Sequence, residues 1–420
     1  MDSPGSQLLK DTGRMEPGRA EPEESPALPA ALAAEVDDLL RRFPPGAAPD
    51  VALRGARFDA GLATVHFREG DGGRGLDPAV QGPVESRFLA GGAVDWSDRN
   101  ILGLGMAAPT IHEHGTEEQR RRWLRPLFTG EEIWCQLFSE PGAGSDLAAL
   151  ATSARRDGDE WVVNGQKVWT TLGHRASWGI LVTRTDPAAP KHRGLTYFCV
   201  DMRTPGVEVR PLRQITGEAE FNEVYLTDVR IPDAHRLEGV GDGWRVAMTT
   251  LMNERVSIGE GVGARGEGAI GHAVRVHRDR VAEVGEDPTR RDRLMDLWVR
   301  AEVTRLTNLR AVSVREGTPG PEGSVAKLSM AELNQAVYEF CVNVQGPAGL
   351  LVKGYDMIQP DHALTVSGDE LAKAFLRARA NSIEGGTSEI LRNILGERVL
   401  GLPGEPRADK DLPWSQVPRS

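Results

Sequence analysis

Cysteine is scarce in this chain: three residues in 420, Cys135, Cys199 and Cys341, far apart and odd in number. Such a set builds neither a disulfide framework nor a zinc site, and it suits a reducing cytoplasm. A basic surplus is missing as well. Lys plus Arg total 50 against 61 Asp plus Glu, a net charge of −11, so the counterion-releasing footprint of a general nucleic-acid binder is excluded. No stretch approaches the roughly 20 apolar residues that span a bilayer. The opening MDSPGSQLLKDTGR has no basic stretch followed by an apolar run, so no secretory leader is expected. Lysine is rare too, only seven of the 50 basic residues. With abundant Ala and Gly, that bias resembles the usage of GC-rich bacterial genomes.

The chain has a 40% hydrophobic and a 26% charged fraction, which excludes a mostly disordered polymer. Its length leaves room for two or three domains with sizeable cores. Residues 1–27, rich in Pro, Gly and Glu, read as a flexible tail. Residues 28–132 read as an N-terminal helical domain. Leu39, Leu40 and Phe43 share a short helix, EGDGGRGLDP is a loop, and Thr116 caps a helix with acids in its first turn that Gly130 closes. Residues 133–243 switch to short strands: Trp178 to Thr183, Leu195 to Val200, Val207 to Pro211 and Phe221 to Leu226. Asn164-Gly165 between apolar runs predicts a hairpin turn. This section is expected to be a β-barrel or sandwich. Residues 244–402 return to a 3.6-residue period. Asp287-Pro288 opens a helix with Leu294, Leu297, Trp298 and Ala301 on one face. Ser324 caps the next, with Leu333, Val337, Phe340 and Val344 as its stripe. A further helix runs from about Asp369 to Arg379. These long helices predict an antiparallel four-helix bundle. The fold class is therefore multidomain α+β: helical, β, helical bundle. Residues 403–420, with four prolines, read as an extended tail over the surface.

Five segments are candidates for chemistry. Phe138-Ser139-Glu140-Pro141-Gly142-Ala143-Gly144-Ser145-Asp146 follows a strand, and its Gly-rich backbone can approach a flat ring or a phosphate closely; an ordinary Pro-Gly turn is the alternative. Trp169-Thr170-Thr171 can wall a planar cofactor, or pack as a core aromatic. Asn253-Glu254-Arg255-Val256 sets an acid among apolar neighbours, where desolvation suits a general base; a surface Glu on an amphipathic helix is the alternative. Ser382 to Ile390 places two glycines before a helix start, which favours anions, or is a plain interhelical turn. Gln345-Gly346-Pro347-Ala348-Gly349 by itself is a helix stop. One further match, Gly261 to Gly266 as G-x-G-x-x-G, needs a preceding strand to be a dinucleotide fingerprint. It follows a stretch read as helical, so close helix packing explains it better.

The order SEPGAGSD, GQKVWTT, NERV, QGPAG and EGGTSEILRNILGERVLG resembles the acyl-CoA dehydrogenase family over roughly residues 55 to 402. The resemblance implies FAD as cofactor, an acyl-CoA thioester as substrate and an electron-transfer flavoprotein or similar acceptor. It also implies a homo-oligomer (dimer or tetramer) or a heteromer with a paralogue. By resemblance, Gln136, Phe138 and Ser139 contact the isoalloxazine ring, with Gly144 in the same loop. Ser145 reaches the pyrophosphate or the thioester arm. Trp169 packs on the ring and Thr171 bonds near N5. Gln345, Gly346 and Gly349 hold the ADP half of a neighbour's FAD, as do Thr387 and Glu389. Arg255 and Gly385 line the acyl-CoA site. The base in most members directly precedes Gly-Thr in the last motif, where this chain has Gly385. Members with Gly there carry the base on the first long bundle helix before an Arg. That slot is Glu254, with Glu384 as runner-up. The Arg-x-x-Phe-Gly segment of many members is absent between His277 and Trp298, as in branches acting on bulky acyl-CoAs, some as heteromers of two unlike subunits. Two competing readings share the fold: a non-catalytic partner subunit, and a flavin oxidase or monooxygenase.

Overall fold

The computed structural model describes residues 28–46, 50–259, 263–313, 323–352, 354–363, 370–406 and 409–418, with backbone alone for 255–259 and 312–313. The expected N-terminal tail, Gly261, Val262, residues 318–322 of the TPGPEG turn, Asp369 and the Arg255 side chain lie outside the described residues. Packing divides the chain into two units, residues 1–94 and 95–420.

The first unit holds α1 (Ala30–Arg42), α2 (Asp50–Asp59) and α3 (Gln81–Ala90). Val36 and Leu39 of α1 bury with Leu53, Leu62, Val65, Val84 and Phe88 in one core. Arg57 pairs with Glu85 and lies over the Phe88 ring, 4.6 Å from its centroid.

In the second unit a π-turn at Gly103–Ala107 leads into α4 (Ala108–His114), and α5 (Glu117–Thr129) follows. The expected cap is there in full. Thr116 Oγ1 accepts from Gln119 N (3.3 Å), Gln119 Oε1 accepts from Thr116 N (2.8 Å), and Gly130 ends the helix at φ +78°, a conformation open to glycine.

The strands are β1 (Trp134–Leu137), β2 (Ser153–Asp157), β3 (Glu160–Thr171), β4 (Trp178–Arg184), β5 (Leu195–Asp201), β6 (Val207–Leu212), β7 (Phe221–Pro232) and β8 (Arg236–Leu237). They form one sheet in the order β6-β7-β3-β2-β4-β5-β8, with β1 parallel to β4. The sheet is open: its hydrogen-bonded path ends at β6 and β8, so the expected barrel does not close. Its strands still share one core, which includes Leu137, Trp161, Val163, Leu181, Phe198, Val224 and Ile231.

The hairpin expected at Asn164-Gly165 is not a turn. β3 runs straight through it, with a register shift against β7 between Val163 and Gly165. Asn164 spends its side chain across the sheet, donating to Asp228 Oδ1 (3.0 Å) and accepting from Asp228 N (2.9 Å). A Cβ at Gly165 would sit 2.4 Å from Thr152 Oγ1, so close packing selects glycine here. The true hairpin joins β2 to β3 one strand earlier, where Asp157 pairs with Glu160 around Gly158 at φ +65°.

The helical section comprises α6 (Gly243–Gly259), α7 (Ala269–Val284), α8 (Pro288–Ser313), α9 (Gly323–Gln345), α10 (Leu371–Ala378) and α11 (Ser388–Ile394). Asp287 caps α8, accepting from Thr289 N (2.9 Å). α9 is the hub and packs on α6, α7, α8, α10 and α11, burying Val337, Phe340 and Val344. Ser324 lies inside α9, its Oγ buried without a partner, so it is not the expected cap. The G-x-G-x-x-G match follows α6, and among the described residues no strand directly precedes it as the dinucleotide reading requires.

The C-terminal segment is more than a surface tail. Trp414 Nε1 donates to Ala149 O (3.1 Å), and Arg184 lies over its ring at 4.7 Å. Lys191 pairs with both Asp409 and Asp146, each at 2.8 Å. Residues 409–417 thus strap the exit of the Gly-rich segment.

The entrance of that segment is held by a buried ion pair. Lys167 of β3, fully buried, donates to Phe138 O (3.0 Å) and Glu140 Oε1 (2.8 Å). Glu140 also accepts from Ala151 N (2.7 Å) and Thr152 N (2.9 Å). Burial pushes the Glu140 carboxyl up, but Lys167 and these donors outweigh it and hold it below the usual glutamate value.

Replacing one member of a buried pair leaves the other charge uncompensated. Lys167→Met is expected to destabilise the fold by about 3–5 kcal/mol in urea unfolding. A depressed carboxyl stabilises above its unfolded pKa and loses that contribution as pH falls through its folded pKa. The gap between wild type and Lys167→Met is therefore expected to be widest near neutrality and to narrow below the ordinary value of 4.5. At the other end of the loop, Trp414→Ala is expected to speed tryptic release of the peptide after Lys410, read by mass spectrometry, while the melting of the rest stays nearly unchanged.

Candidate active site

Three elements of the second unit converge. β1 delivers Gln136 and runs into the Gly-rich segment. Beside that segment lies β3, where Val168 N donates to Ser139 O (2.9 Å) and Lys167 holds Phe138 and Glu140. The third element is α6, which brings Glu254 to Gln136: Gln136 Nε2 donates to Glu254 Oε2 at 3.5 Å, a long hydrogen bond that nonetheless fixes the juxtaposition. Residues 118 positions apart in sequence thus share one corner.

The loop itself is tight. Glu140 and Ala143 exchange both backbone bonds at 3.0 Å, while Gly144 and Ser145 are exposed. A Cβ placed at Gly142 or Gly144 meets nothing within 4 Å, so the backbone there faces open space.

Next along β3, Trp169 is 57% exposed and held at φ +61°. For a bulky residue that left-handed backbone costs about 1–3 kcal/mol and persists only where the surroundings impose it. Here the register shift between Lys167 and Thr170 imposes it. Trp169 meets Phe221 edge-on at 5.7 Å. Arg377 of α10 lies 5.9 Å from the Phe221 centroid. Thr171 is half-buried. Behind it, buried Asn222 donates to Thr170 O (3.0 Å) and contacts His174 Nδ1 (3.2 Å).

Arg377 connects this group to the last motif. It grips Glu384 with two hydrogen bonds, at 3.1 and 3.0 Å, and approaches buried Glu220 at 3.5 Å. Asn381 donates a third bond to Glu384 (2.7 Å). The turn that follows is pinned by Lys327, fully buried in α9, whose Nζ donates to Asn381 O and Gly386 O, both at 2.7 Å. Gly385 and Gly386 take φ +62° and +97°. Thr387 caps α11 by accepting from Ile390 N (3.2 Å), and Glu389 is exposed.

Gln345, Gly346 and Gly349 do not join this group. They sit at the far end of α9, 18 residues beyond Lys327, which at about 1.5 Å per residue is roughly 27 Å. Sequence reasoning passed over Lys167, Glu140, Arg377 and Lys327, although the first two lie inside quoted motifs. A signal existed: in a chain that uses Arg for 43 of 50 basic positions, a Lys stands out, and Lys167 and Lys327 are both fully buried among several acceptors. A compact ammonium gathers several acceptors in a space too small for Arg's planar fork.

Models of the acyl-CoA dehydrogenase N-terminal, middle and C-terminal domains match residues 30–131, 135–229 and 241–400 in turn. Acyl-CoA dehydrogenase FadE34 of Mycobacterium tuberculosis is 42% identical over 362 residues, 85% of this chain and 47% of that protein, so the chain spans about half the length of that relative. Acyl-CoA dehydrogenase IpdE1 of the same organism is 40% identical over 357 residues, 83% of this chain and 86% of that one. Among solved structures, the steroid ACAD Tcur3481-Tcur3483 aligns with a TM-score of 0.67 at 25% identity, covering 90% of this chain and 99% of that one. The ChsE4-ChsE5 complex of Mycobacterium tuberculosis aligns with a TM-score of 0.67 at 28% identity, covering 89% and 96%. With all three domain models in order along the chain and a relative 40% identical over most of both lengths, the chain belongs to the acyl-CoA dehydrogenase family of FAD-dependent oxidoreductases.

Proposed function

We propose that this chain catalyses the α,β-dehydrogenation of an acyl-CoA thioester, with Glu254 as the base that removes the α-proton. The contact that carries the reading is Gln136 to Glu254: it sets a carboxylate from α6 against the strand that feeds the Gly-rich segment. The residues present fit FAD. An exposed indole held in a costly conformation offers a flat face. The amide of Gln136 on β1 and the hydroxyls of Ser139 and Ser145 in the Gly-rich segment and of Thr171 on β3 are polar groups suited to a ring edge and a pyrophosphate. When bound, FAD supplies the acceptor for the hydride that leaves the β carbon.

The chain's own residues handle the proton. Glu254 takes it at a carboxylate oxygen, and Gln136 orients that carboxylate through its amide. Glu384 is a poor rival because both its oxygens are engaged by Arg377 and Asn381. Moving it to a substrate breaks those bonds and strips Arg377, itself largely buried, of its closest anion.

The resemblance to a solved steroid ACAD supports a bulky, ring-bearing acyl group. Electrons then pass to an electron-transfer flavoprotein or a similar acceptor. Assembly with further subunits, identical or paralogous, is supported by α8. Met295, Val299, Val303 and Leu306 recur three or four apart on it and are 48–57% exposed. A neighbour reached in this way also gives Gln345, Gly346 and Gly349 a flavin to hold, since they are remote from this chain's own site. The three cysteines are free and buried, which suits a cytoplasmic enzyme, and among the described residues no helix is long and apolar enough to cross a membrane.

The test is anaerobic bleaching of the purified flavoprotein with a panel of straight-chain and steroid acyl-CoAs. Glu254→Gln is expected to slow bleaching by about 10²–10⁴-fold while FAD stays bound. Glu384→Gln is expected to keep the bleaching rate within about tenfold and to lower thermal stability, because it weakens a charge-assisted bidentate pair. Near-normal bleaching in Glu254→Gln overturns the assignment.

A further inference from the structure

Helix α6 is mounted on a set of buried hydroxyls that neither the family match nor the proposed chemistry requires. Thr250, one turn before Glu254, is fully buried, as are Thr110 of α4 and Tyr197 of β5. Thr250 Oγ1 lies 3.0 Å from Tyr197 OH and 2.9 Å from Thr110 Oγ1. Thr110 Oγ1 in turn donates to Met106 O (2.8 Å). A second link lies one residue back on α6 and one turn on along α4. His114 Nε2 is 2.8 Å from Thr249 Oγ1, while Nδ1 is 3.0 Å from Glu238 Oε1. Nδ1–H donating to the carboxylate leaves Nε2 to accept from the Thr249 hydroxyl.

Apolar side chains would fill this junction equally well, and apolar contacts tolerate a helix that slips or rotates. Hydrogen bonds are directional, so a satisfied buried network selects one arrangement. Two such links from one face of α4 set both the rotation of α6 about its axis and its position along it. A carboxylate roughly 6 Å from the helix axis moves about 2 Å for a 20° rotation, and a misplacement of about 1 Å can cost on the order of a hundredfold in rate. Tyr197 also faces the other half of the site: its ring meets Phe138 edge-on at 5.8 Å. The residue that bonds the helix bearing the acid therefore also buttresses the Gly-rich segment.

We propose that Tyr197, Thr250 and Thr110, seconded by His114 and Thr249, are positioning residues that set the aim of Glu254. This rests on the reading of Glu254 as the base. The test uses purified holoenzyme, with Thr250→Val (same shape, no hydroxyl), Thr250→Ser (hydroxyl kept), Tyr197→Phe and Glu254→Gln side by side. Each is mixed anaerobically with whichever of octanoyl-CoA and cholanoyl-CoA bleaches wild type faster, and rates are expressed per bound flavin. Thr250→Val and Tyr197→Phe are expected to lower the limiting bleaching rate roughly tenfold to a hundredfold, with the half-saturating acyl-CoA concentration and FAD content unchanged. Thr250→Ser is expected to recover most of the rate. A purely structural role predicts a lower melting temperature or flavin loss at an unchanged rate per flavin, and that result overturns the proposal. So does an unaltered rate in Tyr197→Phe should Thr250→Val fail to fold. A normal rate in Glu254→Gln, or no bleaching of wild type, overturns the underlying reading instead.

Discussion

A fully buried lysine holds the site together. Lys167 draws Phe138 O and the Glu140 carboxylate onto the middle of β3, and Glu140 in turn collects the amides of Ala151 and Thr152. A Gly-rich segment left to itself has many conformations, because glycine carries the largest backbone entropy to lose. Here both ends are tied, one by this ion pair and the other by the strap around Trp414, so the exposed stretch between them is short. The same anchoring lets β3 carry the strain at Trp169. The ladder on both sides of the register shift is locked, and the indole stays turned outward.

Around that anchor the elements divide the work by stiffness. The segment suited to a cofactor is loop backbone, able to approach closely. The carboxylate assigned to proton removal comes from a helix, where rotation and rise are fixed by the hydrogen-bond ladder and by the hydroxyl mounting on α4 and β5. A carboxylate on the turn after α10 had the same chemistry to offer, but Arg377 and Asn381 hold it. Under the proposed reading Glu384, committed to Arg377 and Asn381, keeps a structural role and proton removal falls to Glu254.

The two fully buried lysines among the described residues show one economy at work. Lys167 serves a carboxylate and a carbonyl; Lys327 serves two carbonyls of the turn that carries Gly385 and Gly386. Both stitch a glycine-containing segment to a regular element. In each place the acceptors crowd around a single point, which a tetrahedral ammonium matches and a planar guanidinium does not.

Much of this protein was legible in its amino acids alone. The Thr116 cap, the Asp287 cap, the stripe on α9 and most strands follow from signals exchanged between near neighbours in the chain. The motif order was enough to point to the family. Asn164-Gly165 failed as a turn because its signal is local, whereas the outcome was decided by Asp228 across the sheet and by Thr152 pressing on Gly165. Glu254 and Glu384 were equally visible as acids; only folding revealed which of them has Arg377 for company. Lys167, the hydroxyls of Thr110, Thr250 and Tyr197, and the fold-back of Trp414 depend on partners as many as 265 positions apart. Such pairings have no short-range signature, because the free energy that selects them comes from burying and satisfying groups that the chain brings together only when the tertiary structure closes.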